Sequence, residues 1–350
     1  MKAKAITAEC RPGVNVQSSV MISAMKTGLR IGILQCFALL AFAFGCPSGE
    51  QGGGATGRGA KDAPLYVASI QPVAMILREL AEDRCDVVCL LQPTAYPYDA
   101  EPQKEFSKTV KAATAFFYVD DSMEVWAPRL PAKNKVKLAD FVPRELRLKI
   151  PDKLVSIGRT PSAKAGALDP YCWTSPKTVK SLLPALADEL VKLDPEGEDL
   201  YRSNAASFAK RLDALEDECS KKLAPHRGRA AVVLHPAFYY LFRDYGLEVA
   251  GSLDGVPGSE PHANAIKELA VRAGDAGARA IFSEPQFPQT SARYLADQSG
   301  LAVFMLDAYG AIEGLDTYEK LIRYDVDTIA AGFAAKKPRI QGKGSRPGAA

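Results

Sequence analysis

Short apolar runs alternate with amphipathic stretches along most of this chain, the pattern of strands followed by helices. Leu65-Tyr66-Val67-Ala68-Ser69-Ile70 predicts a strand entering a helix near Pro72, where Val73, Ile76, Leu77 and Leu80 recur at helical spacing. Val87 to Leu91, Ala115 to Val119 and Leu154 to Ile157 predict further parallel strands. Ser175-Pro176 opens another helix, because serine accepts a first-turn amide and proline has no amide to leave unpaired there. Asp194-Pro195 ends it at about Leu193.

From Asp199 to Leu223 the chain has neither Gly nor Pro and carries Leu200, Ala205, Phe208, Leu212 and Leu215 at helical intervals. At the usual rise, about 25 residues make a rod about 37 Å long, enough to join two compact bodies. The strand pattern then resumes at Ala230 to Leu234, Glu248 to Leu253, Ala280 to Ser283 and Ala302 to Leu306. The expectation is an α/β fold of two lobes, 64–198 and 225–335, each with a mostly parallel sheet flanked by helices, joined by one long helix at 199–224.

Ahead of this body, Lys26 and Arg30 precede the apolar run Ile31 to Phe44, which has the length and flanks of a signal-peptide core and is too short to span a membrane. It ends in Ala43-Phe44-Gly45-Cys46, which reads either as a lipobox with Cys46 lipidated or as a cysteine beside an ordinary cleavage site. Residues 1–45 are thus expected to be a leader, with Met21 or Met25 as an alternative start, and 46–63 a Gly-rich tether. Residues 336–350 read as a basic, disordered tail. The implied location is extracytoplasmic, periplasmic and anchored to the membrane by lipid.

The formal charge of +3 is concentrated at the ends. Lys2, Lys4, Arg11, Lys26 and Arg30 lie in the leader, and Lys336, Lys337, Arg339, Lys343 and Arg346 in the tail, so the body between them is mildly acidic. Such a body offers no footprint for nucleic acid and leaves a cation as the favoured partner. Cys85 and Cys89 fall on one face of a strand about 13 Å apart, too far to bridge or to share an ion. They read as small buried hydrophobes, Cys219 falls on the long helix, and the irregular spacing excludes a disulfide scaffold.

Four fragments break from strand-like runs into loops, the place where open α/β folds put their ligand contacts. They are Leu91-Gln92-Pro93-Thr94-Ala95-Tyr96-Pro97-Tyr98-Asp99, Leu168-Asp169-Pro170-Tyr171-Cys172-Trp173, Val232-Val233-Leu234-His235-Pro236-Ala237 and Phe304-Met305-Leu306-Asp307-Ala308-Tyr309-Gly310. In order and setting they resemble the metal-binding loops of the zinc/manganese-type (cluster A-I) ABC-transporter solute-binding proteins, over about Leu65 to Phe333. The resemblance implies a monomer that captures a metal ion between its lobes and delivers it to a permease and its cytoplasmic ATPase. It also implies that the long helix is a rigid backbone that limits hinge motion.

Carried across residue by residue, the family's ligand positions fall on Tyr98, Tyr171, His235 and Asp307. Glu284, in Ile281-Phe282-Ser283-Glu284-Pro285-Gln286-Phe287, and Glu260, in Ser259-Glu260-Pro261, match further loops by the cleft, and Cys172 adds a thiol beside Tyr171. Tyr98 and Tyr171 stand where the family usually has histidine, and the histidine-rich insertion of many zinc members is absent.

Two phenols, an imidazole and a carboxylate are a harder, more oxygen-rich set than three imidazoles and a carboxylate, which moves preference from zinc toward hard, highly charged ions. A phenol releases its proton at a pH of about 10, so binding as phenolate at neutral pH requires a strong Lewis acid. Zinc or manganese is the cargo that the resemblance implies; ferric iron is the cargo that the donors favour. A Cys172 thiolate would turn the preference back to zinc or copper.

The same residues admit quieter readings. Tyr98 and Tyr171 could fill a cleft that has lost its metal and now takes an organic ligand, a metal chelate or a protein. His235 could be a hydrogen-bonded structural residue, and Asp307 and Glu284 could cap loop amides. His262 reads as a loop residue and His226 as the end of the rod. An enzyme is the weakest class: the chain has no Gly-rich phosphate loop, no nucleophile elbow and no His-Glu-x-x-His.

Overall fold

Two parallel sheets of four strands each carry the fold. The computed structural model describes residues 63–101, 103–150, 166–253 and 263–335. In the first sheet, β1 (Leu65–Ala68), β2 (Asp86–Cys89), β3 (Ala115–Tyr118) and β4 (Lys135–Lys137) lie in the order β2-β1-β3-β4. In the second, β5 (Ala230–Val233), β6 (Glu248–Gly251), β7 (Ala280–Ser283) and β8 (Ala302–Met305) lie in the order β6-β5-β7-β8. The same topology thus occurs twice in a chain with no visible sequence repeat. The inner strands β3, β5 and β7 are buried at every position, as parallel strands covered on both faces must be, whereas the edge strand β2 alternates exposed and half-buried residues.

The outer strand β4 is a departure from the sequence pattern, which placed a strand at Leu154 to Ile157. That segment lies outside the described residues, and the described sheet is completed by Lys135–Lys137. With one apolar side chain, Val136, in three residues, β4 shows no alternation long enough to read. Cys46 with the leader and tether, Glu260, His262 and the basic tail also lie outside the described residues.

Helices cover the sheets. They are α1 (Gln71–Ala81), α2 (Lys104–Ala112), α3 (Pro176–Leu193), α4 (Glu198–Leu223), α5 (Tyr239–Asp244), α6 (Ala263–Asp275), α7 (Gln289–Ser299) and α8 (Tyr318–Ala334). The start of α3 follows from its sequence: Ser175 Oγ accepts the Thr178 amide at 3.0 Å and Pro176 takes the first helical position. α4 runs unbroken for 26 residues and buries Tyr201, Ala205, Phe208, Leu212, Leu215, Cys219 and Leu223 along one face. A short 3-10 turn, Ala224–His226, follows it and stacks His226 on Phe333.

The base of α4 is locked to the first sheet by a buried polar network. Arg84 pairs with Asp194 through two nitrogens, Tyr201 Oη donates to Asp194 at 2.6 Å, and the Tyr66 hydroxyl and the Cys85 thiol each lie 3.1 Å from Tyr201 Oη. Gly197 is required at this junction, since a Cβ there would run into Arg84 and Tyr201. Further along, α8 packs on α4 with Tyr318 edge-on to Phe208, and Tyr318 Oη donates to the Trp173 carbonyl at 2.8 Å. One contiguous apolar core, from Tyr66 and Phe117 through Leu212 to Phe242 and Phe333, therefore underlies both sheets. A smaller one under α6 and α7 holds Leu269, Ile281 and Leu295.

Candidate functional site

The candidate residues leave the sheets at the carboxyl ends of β2, β5, β7 and β8 or just ahead of α3. After β2 the chain turns at Pro97–Asp99, and Trp126 Nε1 donates to the Pro97 carbonyl at 2.8 Å, which fixes the turn. Ahead of α3, Asp169 Oδ1 accepts the Tyr171 amide at 2.8 Å, and Thr174 Oγ1 donates to the Tyr171 carbonyl at 2.9 Å. These local bonds hold Tyr171 inward beside Trp173, their ring centroids 5.2 Å apart. His235 follows β5 directly, where the turn of Pro236–Phe238 begins.

His235 is the hub of the site. Its Nδ1 lies 2.6 Å from Glu284 Oε2, its Nε2 lies 2.7 Å from Tyr171 Oη, and Tyr96 Oη stands 3.4 Å from the same Nε2. An ionised carboxylate oxygen only accepts, so a neutral imidazole here carries its proton on Nδ1 toward Glu284 and accepts at Nε2 from Tyr171. Tyr98 is half-buried and reaches the site through Tyr96, their centroids 5.1 Å apart, and through the Tyr171 hydroxyl. Phe287 closes one side, 4.8 Å from the His235 ring. His235, Tyr171 and Glu284 are each 2 % exposed, so the hub is sealed.

Asp307 lies at the end of β8 but spends its carboxylate locally. Oδ1 accepts the amides of Tyr309 and Gly310 at 3.0 and 2.9 Å, and Oδ2 accepts that of Ile312 at 2.7 Å. Gly310, at φ 77°, provides the left-handed bend that lets the loop wrap the carboxylate. Of the readings open for Asp307, loop capping is the arrangement observed. Its own amide donates to Asp325 on α8 at 2.8 Å, and burial holds the Asp325 carboxyl well above the usual carboxylate range, with Asp307 and Glu284 adding to the effect.

Cys172 is a free, buried thiol beside Tyr171. Burial pushes it up to about 12, with Asp169 adding to the effect. Burial also raises the Tyr171 phenol well above its ordinary value, with Tyr309, Tyr98 and Tyr96 adding to the effect, so without a strong Lewis acid it keeps its proton. Among the described residues, no three His, Cys, Asp or Glu side chains come together as a metal-holding group. The oxygens nearest His235 Nε2 are phenols. Two donors on one cation at about 2.1 Å stand about 3.0 to 3.4 Å apart at octahedral or tetrahedral angles. Tyr96 Oη, 3.4 Å from His235 Nε2, stands at that spacing, whereas Tyr171 Oη at 2.7 Å is at hydrogen-bond distance.

Sequence reasoning missed Tyr96, Tyr309 and Phe287. Tyr96 and Tyr309 each stand two residues from a chosen position, Tyr98 and Asp307, within the same loop fragments, and that proximity was the available signal.

Comparison with known proteins gives the family. The sequence profile of the periplasmic zinc-uptake complex component A family matches residues 67–332. Zinc-binding protein AdcA of Streptococcus pyogenes is 25% identical over 279 residues, covering 75% of this chain and 53% of AdcA. The high-affinity zinc uptake system protein ZnuA of Brucella abortus is 32% identical over 160 residues, covering 45% of this chain and 48% of that protein. The chain thus spans about half the length of the curated relatives it matches. A crystal structure of ZnuA superposes with a TM-score of 0.66 at 28% identity, covering 78% of this chain and 100% of its own. With three quarters of its length matched by the profile and its two parallel sheets superposing on ZnuA, the chain belongs to the periplasmic zinc-uptake component A family, whose members are solute-binding transport proteins rather than enzymes.

Proposed function

We propose that this chain is the extracytoplasmic capture component of a metal-ion ABC transporter, holding a cation at His235 and passing it to a membrane permease coupled to a cytoplasmic ATPase. The observation that carries the reading is the orientation of His235: Glu284 takes Nδ1 at 2.6 Å and leaves Nε2 toward the phenol oxygens of Tyr171 and Tyr96, at 2.7 and 3.4 Å. A carboxylate behind an imidazole fixes its tautomer and raises its basicity, as in metal sites generally. The apolar run Ile31 to Phe44 and Cys46 support export and lipid anchoring.

Zinc is what the relatives are named for. Ferric iron is the cargo that matches an oxygen-rich donor set. Elemental analysis and the visible spectrum of protein purified without a histidine tag separate them: stoichiometric zinc gives a colourless protein, whereas ferric iron gives a phenolate charge-transfer band. Protein that takes up no metal on incubation with either removes the proposal. One observation favours a second reading, loss of metal binding in favour of an organic ligand, a metal chelate or a protein partner. It is the engagement of both Asp307 oxygens by loop amides.

A further inference from the structure

Two buried oxygens around His235 have no hydrogen-bond partner: Glu284 Oε1 and Tyr309 Oη. Tyr309 is 1 % exposed; its hydroxyl feels the charges of Tyr96, Tyr98 and Glu284, and toward Tyr171, its one hydrogen-bonding neighbour, it makes no bond of good geometry. Trp173 braces it: the indole is 5.8 Å from the Tyr309 ring and 5.2 Å from the Tyr171 ring, and its Nε1 donates to the Ala308 carbonyl at 2.8 Å. A buried hydroxyl left unpaired is a standing cost, which folds keep where a ligand makes the missing bond. The loop that delivers this hydroxyl is the one that Asp307 organises through the Tyr309, Gly310 and Ile312 amides.

We propose that Tyr309 is a further phenol donor to the captured cation, and that Asp307 serves as a positioning residue that builds the Tyr309 loop instead of coordinating. This rests on the reading of the chain as a metal-capture protein and narrows its cargo. With Asp307 engaged and Glu284 behind the imidazole, the donors left to the hub are the phenols of Tyr96, Tyr98, Tyr171 and Tyr309 and the His235 imidazole. Oxygen so outnumbers nitrogen that a hard, highly charged cation of the ferric class fits best.

The test compares wild type, Tyr309→Phe and Asp307→Asn by equilibrium dialysis and visible absorption, with zinc chloride and with ferric iron presented as its nitrilotriacetate chelate. Circular dichroism checks the folding of each variant. Wild type should take ferric iron with a phenolate band. Tyr309→Phe should weaken that binding by about 10- to 100-fold and shift the band, with a smaller loss for zinc. Asp307→Asn should lower the Tm of the metal-free protein and lose iron as a consequence.

Tyr309→Phe with wild-type iron affinity and band overturns the inference. So does Asp307→Asn that loses metal with the metal-free Tm unchanged, since Asp307 would then be a ligand. Zinc binding by wild type without ferric binding overturns the inference and leaves metal capture standing. Binding of neither metal overturns both.

Discussion

Two clusters of buried tyrosines sit in this molecule, and they differ in completeness. At the base of α4, Tyr66, Tyr201, Cys85, Asp194 and Arg84 form a closed set, with none of their buried side-chain atoms left unpaired. Around His235, Tyr96, Tyr98, Tyr171 and Tyr309 gather with Glu284, and two oxygens remain without partners. Amino-acid type does not separate the clusters. What separates them is whether the polar groups finish one another's hydrogen bonds, as scaffolding requires, or leave bonds for something else to make.

The sharpest way to break this contrast is at the scaffold. Asp194→Ala strands Arg84 and Tyr201 in a site where the paired side chains are only 11 % and 10 % exposed, and should cost about 3 to 5 kcal/mol by urea denaturation. A loss below about 1 kcal/mol would show that the network at α4 is incidental. Next comes His235→Ala, for which metal affinity should fall by about 100-fold or more while the fold persists, checked by calorimetric titration with zinc and ferric iron.

Glu124 is an intermediate case and predicts a pH dependence. Oε2 accepts the Val119 and Asp120 amides at 2.6 and 3.2 Å, Oε1 has no partner, and burial pushes the carboxyl from 4.5 up to about 7. The folded state then keeps its proton to higher pH than the unfolded chain. Stability from this group is therefore complete below 4.5 and is lost as pH rises toward about 7, at no more than about 1.4 kcal/mol per pH unit. Urea midpoints across that window should fall with pH in wild type and flatten in Glu124→Gln.

The smallest effect is expected at Tyr309. In metal-free protein Tyr309→Phe removes an unpaired hydroxyl, so stability should hold or rise by less than about 1 kcal/mol. A clear loss would mean that the hydroxyl has a partner after all.

Much of this contrast was legible in the chain, though unevenly. The α4 rod showed because its apolar residues keep one periodicity through 26 positions without Gly or Pro. The start of α3 showed because Ser175 and Pro176 act on their immediate neighbours. His235 and Tyr171 could be named from their loops, but not that they touch, since 64 residues separate them. The fate of Asp307 was open for a similar reason: a carboxylate that turns back on amides two to five residues ahead has the same sequence as one that reaches a ligand. Tyr66 and Tyr201 gave no signal of partnership at all, being 135 residues apart.

The span between Tyr171 and His235 also matters in polymer terms. Between them the chain runs through α3 and α4 and into the second sheet, so a cation held by both side chains closes a loop of 64 residues. Clips that close long loops remove more freedom from the unfolded chain than clips that close short ones. Loaded protein should thus resist unfolding by what its affinity for the folded protein predicts, because closing so long a loop leaves the unfolded chain little affinity for the cation. A cargo held by both side chains would thus act as a reversible staple, and its loss would return that freedom to the chain.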